Sequence, residues 1–217
     1  MRRARVAVLA SGGGTNLQAI LERARAADSR YEVALVVSDR PGAGALARAR
    51  SAGVPAVVVA LAGREPAQAE EELGSVLAAH RIDLVALAGY LRLVPAGIVA
   101  RYRGRIVNVH PAPLPRFGGR GMYGARVHRA VLDAGVASSG PTVHMVDEEY
   151  DRGEVLAHEE VPVRADDTPD TLAERVLAAE HALYPLVIDR LAAEVVADAD
   201  RAHAIDNPRN HRCHERC

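Results

Sequence analysis

The strongest constraint on this chain is a set of short runs that are apolar at nearly every position. Residues 6–11 (VAVLAS), 31–38 (YEVALVVS), 54–60 (VPAVVVA), 83–89 (DLVALAG) and 105–109 (RIVNV) largely lack the polar alternation of a half-wetted strand. Strands that read this way are covered on both faces, as in a parallel sheet flanked by crossover helices. Helical patterns fill the gaps: residues 16–27, with Leu17, Ile20 and Leu21 apolar, then 44–52 and 67–80. After about residue 138 the rhythm changes. PTVHMVDEEY and EVLAHEEVPV are strand-like and separated by a short polar turn, which suggests an antiparallel or mixed edge, and residues 170–191 form a long amphipathic pattern. The expected fold is therefore α/β, a mostly parallel doubly wound (Rossmann-like) sheet with helices on both faces and an antiparallel or mixed C-terminal edge.

With 217 residues and no linker or repeat, the chain has room for one such domain, placed at residues 1–196; beyond Val196 periodicity is lost and a disordered tail is expected over 197–217. The net charge of −1 gives no field to draw the protein to nucleic acid or an anionic membrane. Every basic residue is Arg, since the sequence contains no Lys, which excludes a Lys nucleophile. Aromatic residues are too few for a base-stacking surface. MRRARVAVLAS imitates a signal peptide, but its apolar run is short and leads into a glycine turn, and no stretch approaches membrane-spanning length. The two cysteines, Cys213 and Cys217, lie in the last five residues, so no disulfide frames the fold and a cytoplasmic location is expected.

Four stretches could carry chemistry. SGGGTNLQ (11–18) joins the first strand to the first helix. Its glycines allow close approach of a ligand, and the helix start beyond offers free N–H groups to an anion. It is neither G-x-G-x-x-G nor a P-loop; an ordinary capped turn is the alternative to phosphate binding. GYLRLVP (89–95) follows a strand at the edge where open α/β sheets bind ligands. In VNVHPAPLP (107–115), Asn108 and His110 are two residues apart on a strand and point the same way, an N–H donor beside a protonatable ring. DEEYDRGEV (147–155) is an acidic turn from which one carboxylate facing His110 would raise that imidazole's pKa. His144, His158 and His181, each taken alone, read as satisfied histidines. The tail residues His211, Cys213, His214 and Cys217 lack the paired spacing of a structural zinc site, so no metal is expected.

Taken in order and spacing, SGGGTNLQAI, LAGYLRLV, VNVHPAPLP, PTVHMVDEEYDRG and EHALYPLVI resemble the glycinamide ribonucleotide formyltransferases, folate-dependent enzymes of purine synthesis, over roughly residues 5–195. The resemblance implies transfer of a formyl group from 10-formyltetrahydrofolate, as co-substrate, to the amine of 5′-phosphoribosylglycinamide through a tetrahedral intermediate. It implies Asn108, His110 and Asp151 as the catalytic set, with Asn108 also touching folate. Gly13, Gly14, Thr15, Asn16 and Glu180 would hold the substrate's phosphate and ribose. Arg64, Leu91, Arg92, Leu93, Val94 and Tyr150 would contact folate. Small-molecule substrates, no nucleic acid, no membrane, and a monomer or homodimer complete the expectation.

The sequence departs from the family pattern in three places: a longer segment over 116–128 (RFGGRGMYGARVH), Arg152 where a Gly follows the catalytic Asp, and His158 in place of a Gln. Rival readings are other users of 10-formyltetrahydrofolate. A tRNA formyltransferase is expected to carry a further C-terminal domain, and a hydrolase an N-terminal regulatory one. A non-catalytic nucleotide-binding module is the alternative of a different class.

Overall fold

In the computed structural model, which describes residues 2–206, a sheet is built in the expected alternation. Strand β1 (Ala4–Leu9) leads through helix α1 (Thr15–Ala24) to β2 (Tyr31–Ser38), and α2 (Gly44–Ser51) leads to β3 (Ala56–Val58). Helix α3 (Pro66–Ala79) returns the chain to β4 (Leu84–Leu87), and α4 (Ala96–Arg101) carries it on to β5 (Ile106–His110). Helix α5 (Ala125–Asp133) precedes β6 (Ser138–Ser139), β7 (Thr142–Met145), β8 (Val155–His158) and β9 (Val161–Pro162); α6 (Pro169–Asp206) is last.

The main sheet has the order β3-β2-β1-β4-β5-β7-β8. Its first five strands pair in parallel, and β7 pairs antiparallel with both β5 and β8. The order reverses between β1 and β4, and such a reversal opens a crevice at the C-terminal ends of the strands. Those ends carry the turn after β1 and the loops after β4 and β5, three of the four stretches marked by sequence. The first two are tied together: Ser11 N–H donates to the Gly89 carbonyl at 3.1 Å, and Leu91 N–H to the Ser11 hydroxyl at 2.9 Å.

Both faces of the sheet are covered, which explains the unalternating strands. Val6 and Val8 pack with Leu17, Ile20 and Ile188 under α1 and α6, while Ala7 and Leu9 pack with Leu73 and Ile98 under α3 and α4. The Tyr184 hydroxyl lies 3.0 Å from the Leu87 carbonyl and 2.9 Å from that of Val107, sharing its proton between β4 and β5. A smaller cluster, including Phe117, Val127, Leu172 and Val176, seats α5 against α6.

Three expectations are corrected. The run EVLAHEEVPV is two strands, because Glu159-Glu160 turns the chain and Pro162, lacking an N–H, ends in a two-stranded ribbon with β6. Helices α4 and α5 stand where no helix was expected. The final helix does not stop at Leu191 but continues to Asp206; Ala197 and Ala199 favour helix, and Arg201 pairs with Asp198 one turn away. The four tail residues weighed as metal ligands lie outside the described residues.

Candidate active site

Strand β5 delivers Asn108 and His110 to one side of the sheet, and the antiparallel ladder with β7 sets His144 directly opposite Asn108. Side chains of directly opposed residues share a face. Asp151 approaches the same group from the loop after β7, with its Oδ2 3.6 Å from His110 Nδ1 and its Oδ1 3.5 Å from His144 Nε2. The first of these is ion-pair range, longer than a hydrogen bond. His144 Nδ1 donates to the Met145 carbonyl at 2.8 Å, so in the neutral ring Nε2 is the acceptor. The group 3.1 Å from that Nε2 is the Asn108 Nδ2, which donates one N–H to it and keeps the other for a ligand.

The long segment after the prolines closes on this cluster through its main chain. His110 Nε2 donates to the Phe117 carbonyl at 2.8 Å, and Gly119 N–H donates to Asp151 Oδ2 at 2.9 Å. Asp151 itself holds φ 56°, the left-handed region that Asp tolerates better than most residues. A Cβ at Gly118 would fall 2.5 Å from Leu114 and 2.9 Å from the Asp151 Cβ, so the loop reaches the carboxylate only with glycine there.

Burial sets the charges. It pushes the His110 imidazole below its usual range, against the pull of Asp151 and the Phe117 carbonyl. Burial also pushes the Asp151 carboxyl up, but the two imidazoles beside it, His144 and His110, and the Gly119 N–H together hold it below the ordinary carboxylate value. A carboxylate beside a largely neutral, buried imidazole is a pair in which a proton on the ring is stabilised once charge develops next to it.

Asn108, His110, His144 and Asp151 line a cavity of about 350 Å³. Its wall includes Leu91, Arg92, Leu93, Val94, Met122 and Tyr150. An apolar wall with a few convergent polar groups, at this size, suits an organic ring system. Arg92 is steered by Asp39, whose buried carboxylate is 3.1 Å from its Nε. Arg64 is not part of the wall; it lies before α3 and pairs with Glu72.

The glycine turn behaves differently at each residue. Gly14 caps α1 at φ 76°, and a Cβ there would stand 2.8 Å from Ala45 Cα, whereas Gly12 and Gly13 have open space around them. Thr15 is exposed, but Asn16 is buried and its Nδ2 donates to Glu180 Oε2 at 2.5 Å. Burial pushes the Glu180 carboxyl up to about 7, with the Asn16 hydrogen bond opposing it. Asn16 and Glu180 line a second cleft, which shares Gly89 and Val109 with the first, so the two adjoin.

Two residues escaped sequence reasoning. His144 was legible only with the register of β5 against β7, which no spacing supplies. His128 ends the longer segment over 116–128 that departs from the family pattern; the structure buries it on α5 and sets it in the wall of the second cleft.

Comparison with known proteins places these features. The formyl transferase family matches residues 4–188. The chain is 46% identical over 195 residues to the chloroplastic phosphoribosylglycinamide formyltransferase of Arabidopsis thaliana, covering 89% of this chain and 67% of that protein. It is 42% identical to the trifunctional purine biosynthetic protein adenosine-3 of Drosophila melanogaster, over 88% of this chain but only 14% of that protein. A glycinamide ribonucleotide transformylase 1 from Symbiobacterium toebii has a similar crystal structure, with a TM-score of 0.82, 40% identity and coverage of 88% of this chain and 89% of that one. On the match over most of its length, the chain belongs to the formyl transferase family.

Proposed function

We propose that this chain transfers the formyl group of 10-formyltetrahydrofolate to the amine of 5′-phosphoribosylglycinamide in purine biosynthesis. The observation that carries the reading is the meeting of two unlike clefts at β5. One is walled by apolar side chains and ends on Asn108, His110 and Asp151; the other is lined by buried Asn16 and Glu180 beside the start of α1. A folate ring fits the first and a ribose the second, its phosphate reaching the glycine turn before α1, with the amine and the formyl carbon brought together at the shared wall. The names carried by the plant and bacterial relatives support the same substrates.

Attack of the amine nitrogen on the formyl carbon moves an electron pair onto the formyl oxygen. The free N–H of Asn108 stabilises that charge together with His110, protonated or donating a hydrogen bond, and Asp151 supports the ring as it becomes charged. The new C–N bond is kept when the bond to folate N10 breaks, and Asp151, directly or through water, passes the amine proton to the departing nitrogen. Leu91, Arg92, Leu93, Val94 and Tyr150 hold the folate, while Gly13, Gly14, Thr15, Asn16 and Glu180 hold phosphate and ribose. Arg64 would reach a ligand only after leaving Glu72.

The test is a formyl-transfer assay with both substrates. The wild type forms the formylated product, and Asn108→Ala loses about 100-fold or more in kcat. Near-normal turnover by Asn108→Ala, His110→Ala and Asp151→Ala alike would overturn the assignment.

A further inference from the structure

The second cleft holds a polar residue with no role in the reading above. His128 sits in the first turns of α5, almost fully buried, yet its ring lines the cleft together with Asn16, Pro111, Asp170, Glu174 and Glu180. Its Nδ1 is buried without a hydrogen-bond partner among the described residues, and so is the Asn16 Oδ1. A buried polar atom left unpaired costs about 1–3 kcal/mol. Two of them belong to residues that line one cleft, beside a carboxyl group that burial keeps partly protonated, and such a pair marks a wall that a ligand can complete.

The chemistry of the wall narrows the ligand. Asp170, Glu174 and Glu180 contribute three carboxyl groups, and among the described residues no Arg lines the cleft. Such a wall repels a phosphate, which belongs instead at the open glycine turn before α1. Burial pushes the His128 imidazole below its usual range, and the nearby His110 adds to this, so the ring is neutral, with one donor and one acceptor nitrogen. Neutral imidazole, amide and carboxyl groups pair with hydroxyls, which both donate and accept.

We propose that His128 is a substrate-binding residue that reads the ribose hydroxyls of the amine substrate together with Asn16 and Glu180. The proposal rests on the ribonucleotide reading of the second cleft. It assigns to the long segment after β5 a purpose beyond its main-chain contacts: the segment delivers α5, and with it this ring, to the substrate.

The test uses the full-length protein, with ribose 5-phosphate and inorganic phosphate as calorimetric probes and steady-state kinetics for both substrates. His128→Leu keeps the packing volume and removes the polar atoms; His128→Asn keeps a donor and an acceptor. The leucine variant is expected to bind ribose 5-phosphate and the amine substrate about 10-fold more weakly, the worth of one hydrogen bond. Its affinity for inorganic phosphate and its KM for formylfolate stay unchanged. Its unfolding midpoint without ligand stays the same or rises, since an unpaired buried polar group has gone, and the asparagine variant recovers part of the affinity. Undiminished ribose 5-phosphate binding by His128→Leu overturns the proposal. So does a joint loss of both substrates with lowered stability, which marks a packing role, or an absence of ribose 5-phosphate binding by the wild type. A wild type that binds ribose 5-phosphate but makes no formylated product sinks the formyl-transfer reading instead, and the variant comparison still decides on His128.

Discussion

At the scale of single residues, the second cleft is governed by how little water reaches it. Glu180 has an ordinary pKa of 4.5 and is pushed up to about 7 by burial. The folded protein therefore binds a proton that the unfolded chain has already released between those values. The stability tied to that proton is fully present below 4.5 and is lost as pH rises through about 7. Glu180→Gln removes the titration. Across pH 4.5 to 8 the wild type should lose roughly 2–3 kcal/mol of stability relative to the variant, as read by denaturant unfolding at each pH. Parallel curves would show that Glu180 is not buried as described. The residue scale is also where sequence reading was uneven. That Asn108, His110 and Asp151 come together was legible because one alternation, one acidic turn and a family pattern converge on them. His144 and His128 were not, since each gains its setting from a partner element: strand β7 opposite β5, and helix α5 against α6.

At the scale of elements, the parallel strands were legible because burial on both faces writes itself as continuous apolar residues. Helix α4 is six residues long and begins after Pro95, too short to show a period, and α5 starts behind a glycine-rich segment that reads as loop. The glycine turn before α1 was marked for phosphate binding, and packing adds a reason of its own for one of its glycines. Only Gly14 is sterically required, and what requires it is α2 rather than a ligand. Gly14→Ala places a Cβ 2.8 Å from Ala45 Cα on a backbone at φ 76°. It is expected to cost about 2 kcal/mol or more, measured by chemical denaturation. Alanine at Gly13, which has open space, should leave stability within about 0.5 kcal/mol. Equal effects at the two positions would contradict the packing of α1 on α2.

At the scale of the whole molecule, the site exists because the strand order reverses between β1 and β4, and the sheet must hold its register there although two loops diverge. Tyr184, from the final helix, ties β4 to its other neighbour, β5, by sharing one proton between the Leu87 and Val107 carbonyls. Tyr184→Phe leaves the packing intact and removes that tie. It should cost about 1–2 kcal/mol, and differential scanning calorimetry would show a lowered midpoint with an otherwise similar transition. A midpoint equal to the wild type would mean that the tie contributes nothing to the sheet. The fold class was legible at this scale from alternation alone, whereas the junction of two clefts was not, because it arises where residues far apart in the chain meet.

The contacts made by the long segment after β5 have one more consequence. Both of its links to the cluster of His110 and Asp151 are peptide groups: the Phe117 carbonyl on His110 and the Gly119 N–H on Asp151. Every residue type has a carbonyl, and every type but proline has an N–H, so most substitutions in this segment cannot delete either link. They act only by changing the path of the chain, as Gly118 would if it gained a side chain. Selection on such a loop falls on geometry, leaving its letters free to drift. Relatives could differ widely here in composition and still keep the same proton chemistry.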